Sequence, residues 1–513
     1  MSDTETKRDL PAGVKRYARY LLIMAGLGGL IYGIDVGVIA AALPYIRNTS
    51  NYSSMQLGFI VGAVLWGSVI SSLFAGSLAE FFGRKKIIIA SAFCFFISIP
   101  VICLSGLFEG GNFVLLTVGR TLQGASAGLV GVVIPMYLAE CLDSDSRGKG
   151  TGMFQLLLTI GLAFAAVIGL VVTGWVGDSD KVVKGLASEH GVEVAKVTYA
   201  QITEWAKPEQ LKGWAMAWQT IFLCSAVPGL ILFLGAFGLK ESPRWLYKKG
   251  RKEEALASLA ANNGEAKAKE ILDEMIAADK AEAEEKAAIA KASAGDSLFQ
   301  RKYIYPFCLA VVILACNQAT GINSVLNYTV DIFKATGMEG VFANFSDLAI
   351  KLVNVFMTVV ACTLVDKKGR KFLLKLGTGG VIIGLCGVAT TFLLITKGVF
   401  AASLATGIVA TVFFFMFIAF YAVGPGVCVW LALSELMPTR IRATGMSIAM
   451  IINQGVSATI ATVFPAWKDA WGFPAVFYCL AGFTVIYFVT AAFFLPETKG
   501  KTLEEIERYF SKK

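Results

Sequence analysis

The feature of this sequence that most restricts its fold is a series of twelve apolar runs between about residues 18 and 496. Each run holds roughly 20 residues, the length that an α-helix needs to cross a hydrocarbon core of about 30 Å. Helices satisfy all their backbone polar groups internally, as a bilayer requires. Charged residues make up 16% of the 513 residues, against about 25% in soluble domains. We therefore predict an all-α membrane protein with twelve transmembrane helices.

Lysine and arginine are unevenly divided between the short loops. Alternate loops of a multi-pass helical protein lie on opposite sides of the membrane. The short loops at 80–86, 147–149, 367–375 and 440–442 share one side and carry twelve of these residues, whereas the short loops of the other side carry about four. By the positive-inside rule this asymmetry predicts that both termini lie in the cytoplasm. The predicted localisation is the cell (inner) membrane, as a multi-pass protein. The net charge of +9 is explained by this topology and does not indicate a nucleic-acid partner. The N-terminal run is too long for a signal peptide, so we expect an uncleaved first helix.

The second half of the chain repeats motifs of the first. Gly83-Arg84-Lys85 recurs 286 residues later as Gly369-Arg370-Lys371, and Glu140 with Arg147 recurs 295 residues later as Glu435 with Arg442. Two pseudo-symmetric six-helix bundles with a site between them are the plan of an alternating-access transporter. The predicted divisions are a cytoplasmic tail at 1–16, an N-terminal bundle at 17–239 with an outer loop at 174–216, a cytoplasmic helical linker at 240–302, a C-terminal bundle at 303–496 and a cytoplasmic tail at 497–513.

The sequence contains little that would support an enzymatic or metal site. Nine of the ten cysteines lie inside apolar runs without paired spacing, and the only histidine, His190, lies in the outer loop. This pattern predicts neither disulfides nor a metal. Nucleophile–base pairs and phosphate-binding loops are not evident either, which disfavours an enzyme and a bound cofactor.

Two ionisable residues lie inside apolar runs at about the same predicted depth. Asp35 lies in the glycine-rich first run, and Arg120 lies in the fourth run, where Gly124 and Gly128 form a small-xxx-small face for close helix packing. Because an unpaired charge is costly in a bilayer, we expect the two side chains to be neighbours. The hypothesis is proton coupling through this pair. The alternatives are a static ion pair and an Arg120 side chain that extends to the lipid headgroups.

The motifs, taken in order, resemble those of the sugar porter family of the major facilitator superfamily, over about residues 18–508. They are Leu122-x-Gly124-Ala-x-x-Gly128 with Tyr137, Glu140 and Arg147, Gly83-Arg84-Lys85, Glu241-Ser242-Pro243-Arg244, Gly369-Arg370-Lys371 and Pro496-Glu497-Thr498-Lys499-Gly500. The resemblance implies the major facilitator fold and monosaccharide transport. It extends to bacterial xylose– and arabinose–proton symporters, which carry an acid at the Asp35 position, and to facilitative glucose transporters, whose animal members are neutral there.

The resemblance also implies a set of sugar contacts. They are Gln155, Asn317, Gln318, Asn323, Asn354, Trp430 and Asn453. Neutral amides suit a ring of hydroxyl groups, because each amide both donates and accepts hydrogen bonds, and an indole face covers the sugar's C–H surface. The sequence departs from the family pattern at three positions. Asn317 stands where the family has a glutamine, Asn327 where it has a tyrosine and Gln454 where it has a tryptophan. Lys351 is also unexpected, and we favour a side chain that extends outward beside Asp347 over a place in the sugar pocket.

Eight charged residues match the family's cytoplasmic gate, in which charge pairs hold the inner side closed while the transporter faces outward. They are Glu80, Arg84, Glu140, Arg147, Asp366, Arg370, Glu435 and Arg442. Their simpler explanation is positive-inside topology together with helix capping. Gly424-Pro425-Gly426 loosens the tenth run and predicts either a hinge or a tolerated kink.

The function so predicted is monosaccharide import, of a pentose or a hexose, by proton symport and alternating access. The partners would be the sugar and the lipid bilayer, the coupling ion a proton, and the working unit a monomer. A facilitative uniporter is the first alternative, and Asp35 argues against it. A sugar sensor on a transporter scaffold is the second, although such sensors tend to carry longer tails than the 17 or so residues that follow Pro496.

Overall fold

The structure is a computed structural model, which describes residues 11–142, 144–292, 300–429, 436–438, 441–497 and 510. Within these ranges the helices are joined by turns and short irregular segments, and no strand is present. For orientation we use the sides predicted from the loop charges. The outer side holds residues 50–53 and 106–112, and the inner side holds the linker.

The N-terminal bundle contains six long helices and two shorter outer ones. They are α1 (Ala12–Thr49), α2 (Ser54–Phe82), α3 (Arg84–Ser105), α4 (Phe113–Cys141), α5 (Ser144–Val176), α6 (Ser179–Glu189), α7 (Tyr199–Trp205) and α8 (Pro208–Ala236). The short α6 and α7 lie in the predicted outer loop. The side chains of Asp178 and Thr198 cap these two helices.

The linker and the C-terminal bundle follow. They contain α9 (Pro243–Lys248), α10 (Lys252–Asn263), α11 (Glu265–Ala292), α12 (Arg301–Ala319), α13 (Ile322–Ala335), α14 (Val341–Lys368), α15 (Arg370–Thr396), α16 (Leu404–Tyr421) and α17 (Arg442–Val489). A π-helical turn over Ala422–Gly426 extends α16, and another over Thr490–Phe494 extends α17. The sequence predicts a loosened helix at Pro425, and the π-turn lies at this position. Proline lacks a backbone donor, so the regular α-helical hydrogen bonds are interrupted there.

The prediction of twelve crossings is confirmed. Eleven helical segments of the described chain are long and apolar enough to cross a membrane. The last, Thr444–Phe494, has 51 residues and bends at Gly472, where φ is 76° and ψ is 164°. At 1.5 Å per residue this segment is long enough for two crossings, so the eleven segments supply twelve.

Glycines let helix pairs of the N-terminal bundle pack backbone against backbone. A Cβ added at Gly124 would clash with the carbonyl of Val64, and one at Gly128 with that of Ser68, so the small-xxx-small face of α4 packs on α2. Gly29 and Gly33 of α1 likewise approach carbonyls of α5. Such close approach maximises dispersion contacts where lipid supplies no hydrophobic driving force between helices. It also fixes the position of Asp35 on α1.

The two bundles contact each other on the outer side. Several hydrogen bonds between the bundles join their outer halves, for example Trp66 Nε1 to Thr462 Oγ1 at 3.3 Å. Gly58 and Gly62 of α2 also pack directly on Thr462 of α17. The conformation is therefore closed toward the outer side.

Candidate functional site

Asp35 and Arg120 lie side by side inside the N-terminal bundle. Each is only 1% exposed. The Arg120 guanidinium donates through Nη1 to Oε1 of Gln123 at 2.8 Å, and the same nitrogen lies 3.4 Å from the main-chain carbonyl oxygen of Asp35. Its central carbon lies 5.6 Å from the centre of the Phe222 ring, in a cation–π contact. Three helices, α1, α4 and α8, thus supply the contacts of one buried arginine.

The Asp35 carboxylate does not take part in these contacts. Neither of its oxygens has a hydrogen-bond partner among the residues that the structure describes. The two residues are neighbours, as expected, but the guanidinium contacts the main chain of residue 35 and not its carboxylate. An unpaired, charged carboxylate costs several kcal/mol when it is buried this deeply, and a bound proton removes that cost.

Three of the amide side chains expected to contact sugar form one cluster in the C-terminal bundle. Asn323 donates through Nδ2 to Gln318 Oε1 at 3.1 Å and to Ser457 Oγ at 2.7 Å. Gln318 donates in turn to Asn453 Oδ1 at 3.3 Å, and Asn453 donates to the Leu314 carbonyl at 2.8 Å. We call Gln318, Asn323, Asn453 and Ser457 the amide cluster. In this conformation the neutral groups of the cluster form hydrogen bonds with one another. They can exchange these hydrogen bonds for hydrogen bonds to the hydroxyl groups of a ligand.

A break in the seventh crossing positions the amide cluster. Helix α12 ends at Ala319 and α13 begins at Ile322, with Gly321 between them in the left-handed region at φ 79°. Unwound backbone at membrane depth is tolerated where it lies within protein or lines a cavity, and transporters use such breaks at their binding sites. The break turns Gln318 and Asn323 toward each other although they are five residues apart.

The remaining expected sugar contacts are less closely connected. Asn317 donates to the Pro425 carbonyl at 3.1 Å and accepts from the Tyr421 hydroxyl at 3.2 Å, so it joins α12 to the π-turn. Gln155 is exposed on α5, and Asn354 is half-buried on α14. Trp430 lies outside the described residues. The hydrogen bonds of the described chain do not join Gln155 or Asn354 to the amide cluster.

On the inner side, Arg84 and Glu140 form a bidentate ion pair. Arg84 donates through Nη2 and Nε to the two carboxylate oxygens at 2.7 and 2.8 Å, and both side chains are 8% exposed. The Ser242 hydroxyl also donates to Glu140, which ties the linker to the pair. This pair lies within the N-terminal bundle, so in this conformation it does not bridge the two bundles.

Two further carboxylates on the inner side, outside the predicted gate set, cap helices. Glu241 Oε1 accepts from the backbone nitrogens of Arg84 and Lys85, and Glu497 Oε1 accepts from that of Arg370 at 3.1 Å. Both carboxylates lie at helix N-termini, where the backbone dipoles favour negative charge. Glu80 is exposed, and its carbonyl accepts from Trp245 Nε1 of the linker at 2.8 Å. The side chains of Arg147, Asp366 and Arg442, and the whole of Glu435, lie outside the described residues.

The expected outward extension of Lys351 is wrong. Its Nζ donates to Asp347 Oδ2 at 2.7 Å, and the two side chains are 0% and 1% exposed. The i,i+4 spacing on α14 brings the two groups together, but neighbouring helices cover both. The local sequence could identify Asp347 as the partner of Lys351. It could not show that both side chains are buried, because their burial depends on the neighbouring helices.

Removing one member of this pair should destabilise the protein. We expect Lys351→Met to cost about 3–5 kcal/mol, because it leaves Asp347 buried without its partner. The measurement is the unfolding midpoint of the purified protein in detergent. The double variant Lys351→Met/Asp347→Asn removes both charges and should recover most of the loss. An unchanged midpoint for Lys351→Met would contradict a paired, buried lysine.

Sequence reasoning missed three polar contacts of the site. Gln123 and Ser457 were detectable, because each follows a predicted site residue by three or four positions, Arg120 and Asn453, and so shares its helix face. The Tyr421–Asn317 contact spans 104 residues and has no local signal.

Comparison with known proteins identifies the family and the fold of the chain. A model of the sugar (and other) transporter family matches residues 21–510. The arabinose–proton symporter of Bacillus subtilis is 29% identical over 488 residues, covering 95% of this chain and 94% of that protein. The glucose transporter GlcP of Staphylococcus epidermidis is 30% identical over 497 residues, covering 95% and 96%. An inward-open structure of the xylose transporter XylE from E. coli is 25% identical with a TM-score of 0.72, covering 95% of this chain and 98% of that one.

These findings define a membrane-spanning sugar transporter of the major facilitator superfamily, which is not an enzyme. The chain belongs to the sugar (and other) transporter family.

Proposed function

We propose that this protein imports a monosaccharide, a pentose or a hexose, by proton symport, with Asp35 as the proton carrier. The observation that carries the proposal is the Asp35 carboxyl group, which is buried beside Arg120 but unpaired within the described chain while the outer side is closed. A carboxyl group in that position is stable when it carries a proton. A purely facilitative carrier has no need of such a group.

The coupling step follows from the competition between a proton and Arg120 for the same carboxylate. When the outer side is open, water reaches Asp35, and the unprotonated carboxylate pairs with Arg120. Protonation removes that attraction, and Arg120 turns to Gln123 and to the main-chain carbonyl of Asp35, the contacts seen here. Helix α1 is then free to close over the sugar together with α13.

The amide cluster supplies the sugar site of this proposal. Its donors and acceptors are neutral, which suits a polyhydroxylated, uncharged solute, and Asn317, Gln155, Asn354 and Trp430 would complete the pocket. Relatives named for arabinose, xylose and glucose support the class of substrate. The replacement of tyrosine and tryptophan by Asn327 and Gln454 favours a sugar that needs more hydrogen bonds and less stacking.

The location belongs to the same proposal. We place the protein in the cell membrane, and the positive charge of the inner loops supports an orientation with both termini in the cytoplasm. The working unit in this proposal is a monomer. The coupling ion is a proton, and the proposed cycle uses no bound cofactor.

Uptake of a labelled sugar panel tests the proposal. Cells that express the protein are given xylose, arabinose, glucose, galactose, fructose or myo-inositol, with and without a protonophore. We expect one of the monosaccharides to accumulate above its external concentration and to fall to equilibration when the protonophore is added. Equilibration that the protonophore leaves unchanged would identify a uniporter and reduce Asp35 and Arg120 to a structural pair.

A further inference from the structure

Five charged residues at the outer ends of the two bundles form a single connected group. Arg47 ends α1, Asp178 and Asp180 begin α6 in the outer loop, and Asp331 and Lys334 lie near the end of α13. We call these five residues the outer charge cluster. Three of them belong to the N-terminal bundle and two to the C-terminal bundle. None of them was singled out by the family motifs, and the outer loop had no predicted role.

Asp180 is the centre of the cluster. Its carboxylate accepts from Arg47 Nη2 at 2.9 and 3.0 Å and from Lys334 Nζ at 2.8 Å. Asn48 Nδ2 donates to the same carboxylate at 2.6 Å. One side chain of the outer loop therefore holds the end of α1 and the end of α13 at the same time.

The remaining contacts also cross between the bundles. Asp178 accepts from Lys334 Nζ at 2.5 Å and from the backbone nitrogen of Gly340 at 2.7 Å. Arg47 Nη1 donates to Asp331 Oδ2 at 3.1 Å. With the Lys334–Asp180 bond, these make four hydrogen bonds between the bundles, each with a charged partner and so stronger than a neutral one.

Burial distinguishes this cluster from an ordinary surface pair. The side chains of Asp178, Lys334, Asp331 and Asp180 are 5%, 13%, 16% and 23% exposed, and that of Arg47 is 38% exposed. Nearby, Lys184 and Glu339 also pair across the bundles at 3.1 Å, but they are 64% and 44% exposed, and pairs of that kind contribute little. Burial acts to raise the pKa of Asp180, but Arg47 and Lys334 outweigh it and hold that pKa well below its ordinary value. Asp180 thus stays charged at neutral pH.

We propose that the outer charge cluster is the outer gate of the transport cycle. In this gate the start of α6 in the outer loop supplies the two carboxylates, Asp178 and Asp180, that hold the outer side closed. For the binding site to open outward, Arg47 on one bundle has to separate from Asp331 on the other, and Lys334 has to leave Asp178 and Asp180. The strength of these contacts therefore sets the balance between the outward-open and outward-closed conformations. The cluster stabilises the closed one.

The experiment measures that balance directly. Spin labels are placed at Glu109 and Lys397, which are exposed on the outer side of the two bundles, in a full-length protein with the native cysteines replaced. Pulsed electron paramagnetic resonance gives the distance distribution for the parent protein and for Asp180→Asn and Lys334→Gln. We expect about a tenfold rise in the ratio of long to short distances, equivalent to about 1.4 kcal/mol.

Lys184→Gln is the matched control, since it removes a charge from an exposed pair that also spans the bundles, and its distances should stay as in the parent. Asp180→Asn and Lys334→Gln break the cluster from opposite bundles, so either variant suffices if the other does not fold. Parent-like distances in a folded Asp180→Asn or Lys334→Gln protein would overturn the gate. Because the measurement needs neither sugar nor a proton gradient, its outcome is independent of whether Asp35 couples transport to protons.

Discussion

The Asp35→Asn variant is expected to equilibrate sugar across the membrane without accumulating it. Asparagine keeps the size and polarity of the side chain but cannot release a proton, so it mimics the protonated acid permanently. The bundles can then still close over the sugar, while the proton gradient no longer biases the direction. The measurement is the ratio of internal to external labelled sugar at steady state, which we expect to fall from well above one to about one.

Asp35→Glu is the control for this prediction, because it moves the carboxyl group by one methylene and keeps it titratable. We expect it to retain part of the accumulation at reduced rate. Exchange of labelled against unlabelled sugar in Asp35→Asn cells would show that the variant is folded and binds substrate. Accumulation by Asp35→Asn at the parent level would remove Asp35 from the coupling mechanism.

Loss of the central amide should weaken sugar binding more than any other single change in the pocket. Asn323 donates to both Gln318 and Ser457, so Asn323→Ala removes one sugar contact and also frees Gln318 from its position. A lost hydrogen bond in a buried site costs about 1–3 kcal/mol, which corresponds to roughly a tenfold to hundredfold rise in Kd. Equilibrium binding of the transported sugar to the purified protein measures this change.

Asn262→Ala provides the matched control. Asn262 is also a buried amide, but it lies in the linker and donates to the Cys141 carbonyl at 2.6 Å, away from the amide cluster. Its removal should leave the Kd of the sugar unchanged. A parent-like Kd in both Asn323→Ala and Gln318→Ala would show that the sugar binds elsewhere.

The crossings and the repeat were predictable from sequence because they depend on local or periodic signals. Apolar run length predicts a membrane helix without knowledge of its neighbours. The spacing of Gly124 and Gly128 predicts close packing, which the contact of α4 with α2 bears out. Depth counted along two helices was enough to expect Asp35 and Arg120 near each other.

Features that depend on contacts between distant parts of the chain were not predictable in the same way. The rotation of the Arg120 guanidinium toward Gln123, the complete burial of Lys351 and the break at Gly321 all depend on which helices lie alongside. The outer charge cluster joins residues up to 284 positions apart, such as Arg47 and Asp331. Single charges at helix ends and in the outer loop carry no periodic signal, so these residues could not be connected from the sequence alone.

The most direct test of proton coupling is to follow protons and sugar together in proteoliposomes that contain only this protein. External pH is recorded with a dye in weakly buffered medium, without an initial pH gradient, while the transported monosaccharide is added outside. We predict that sugar entry makes the external medium more alkaline, and that Asp35→Asn proteoliposomes take up sugar without this change. Sugar entry into parent proteoliposomes at a similar rate with no change in external pH would contradict proton symport.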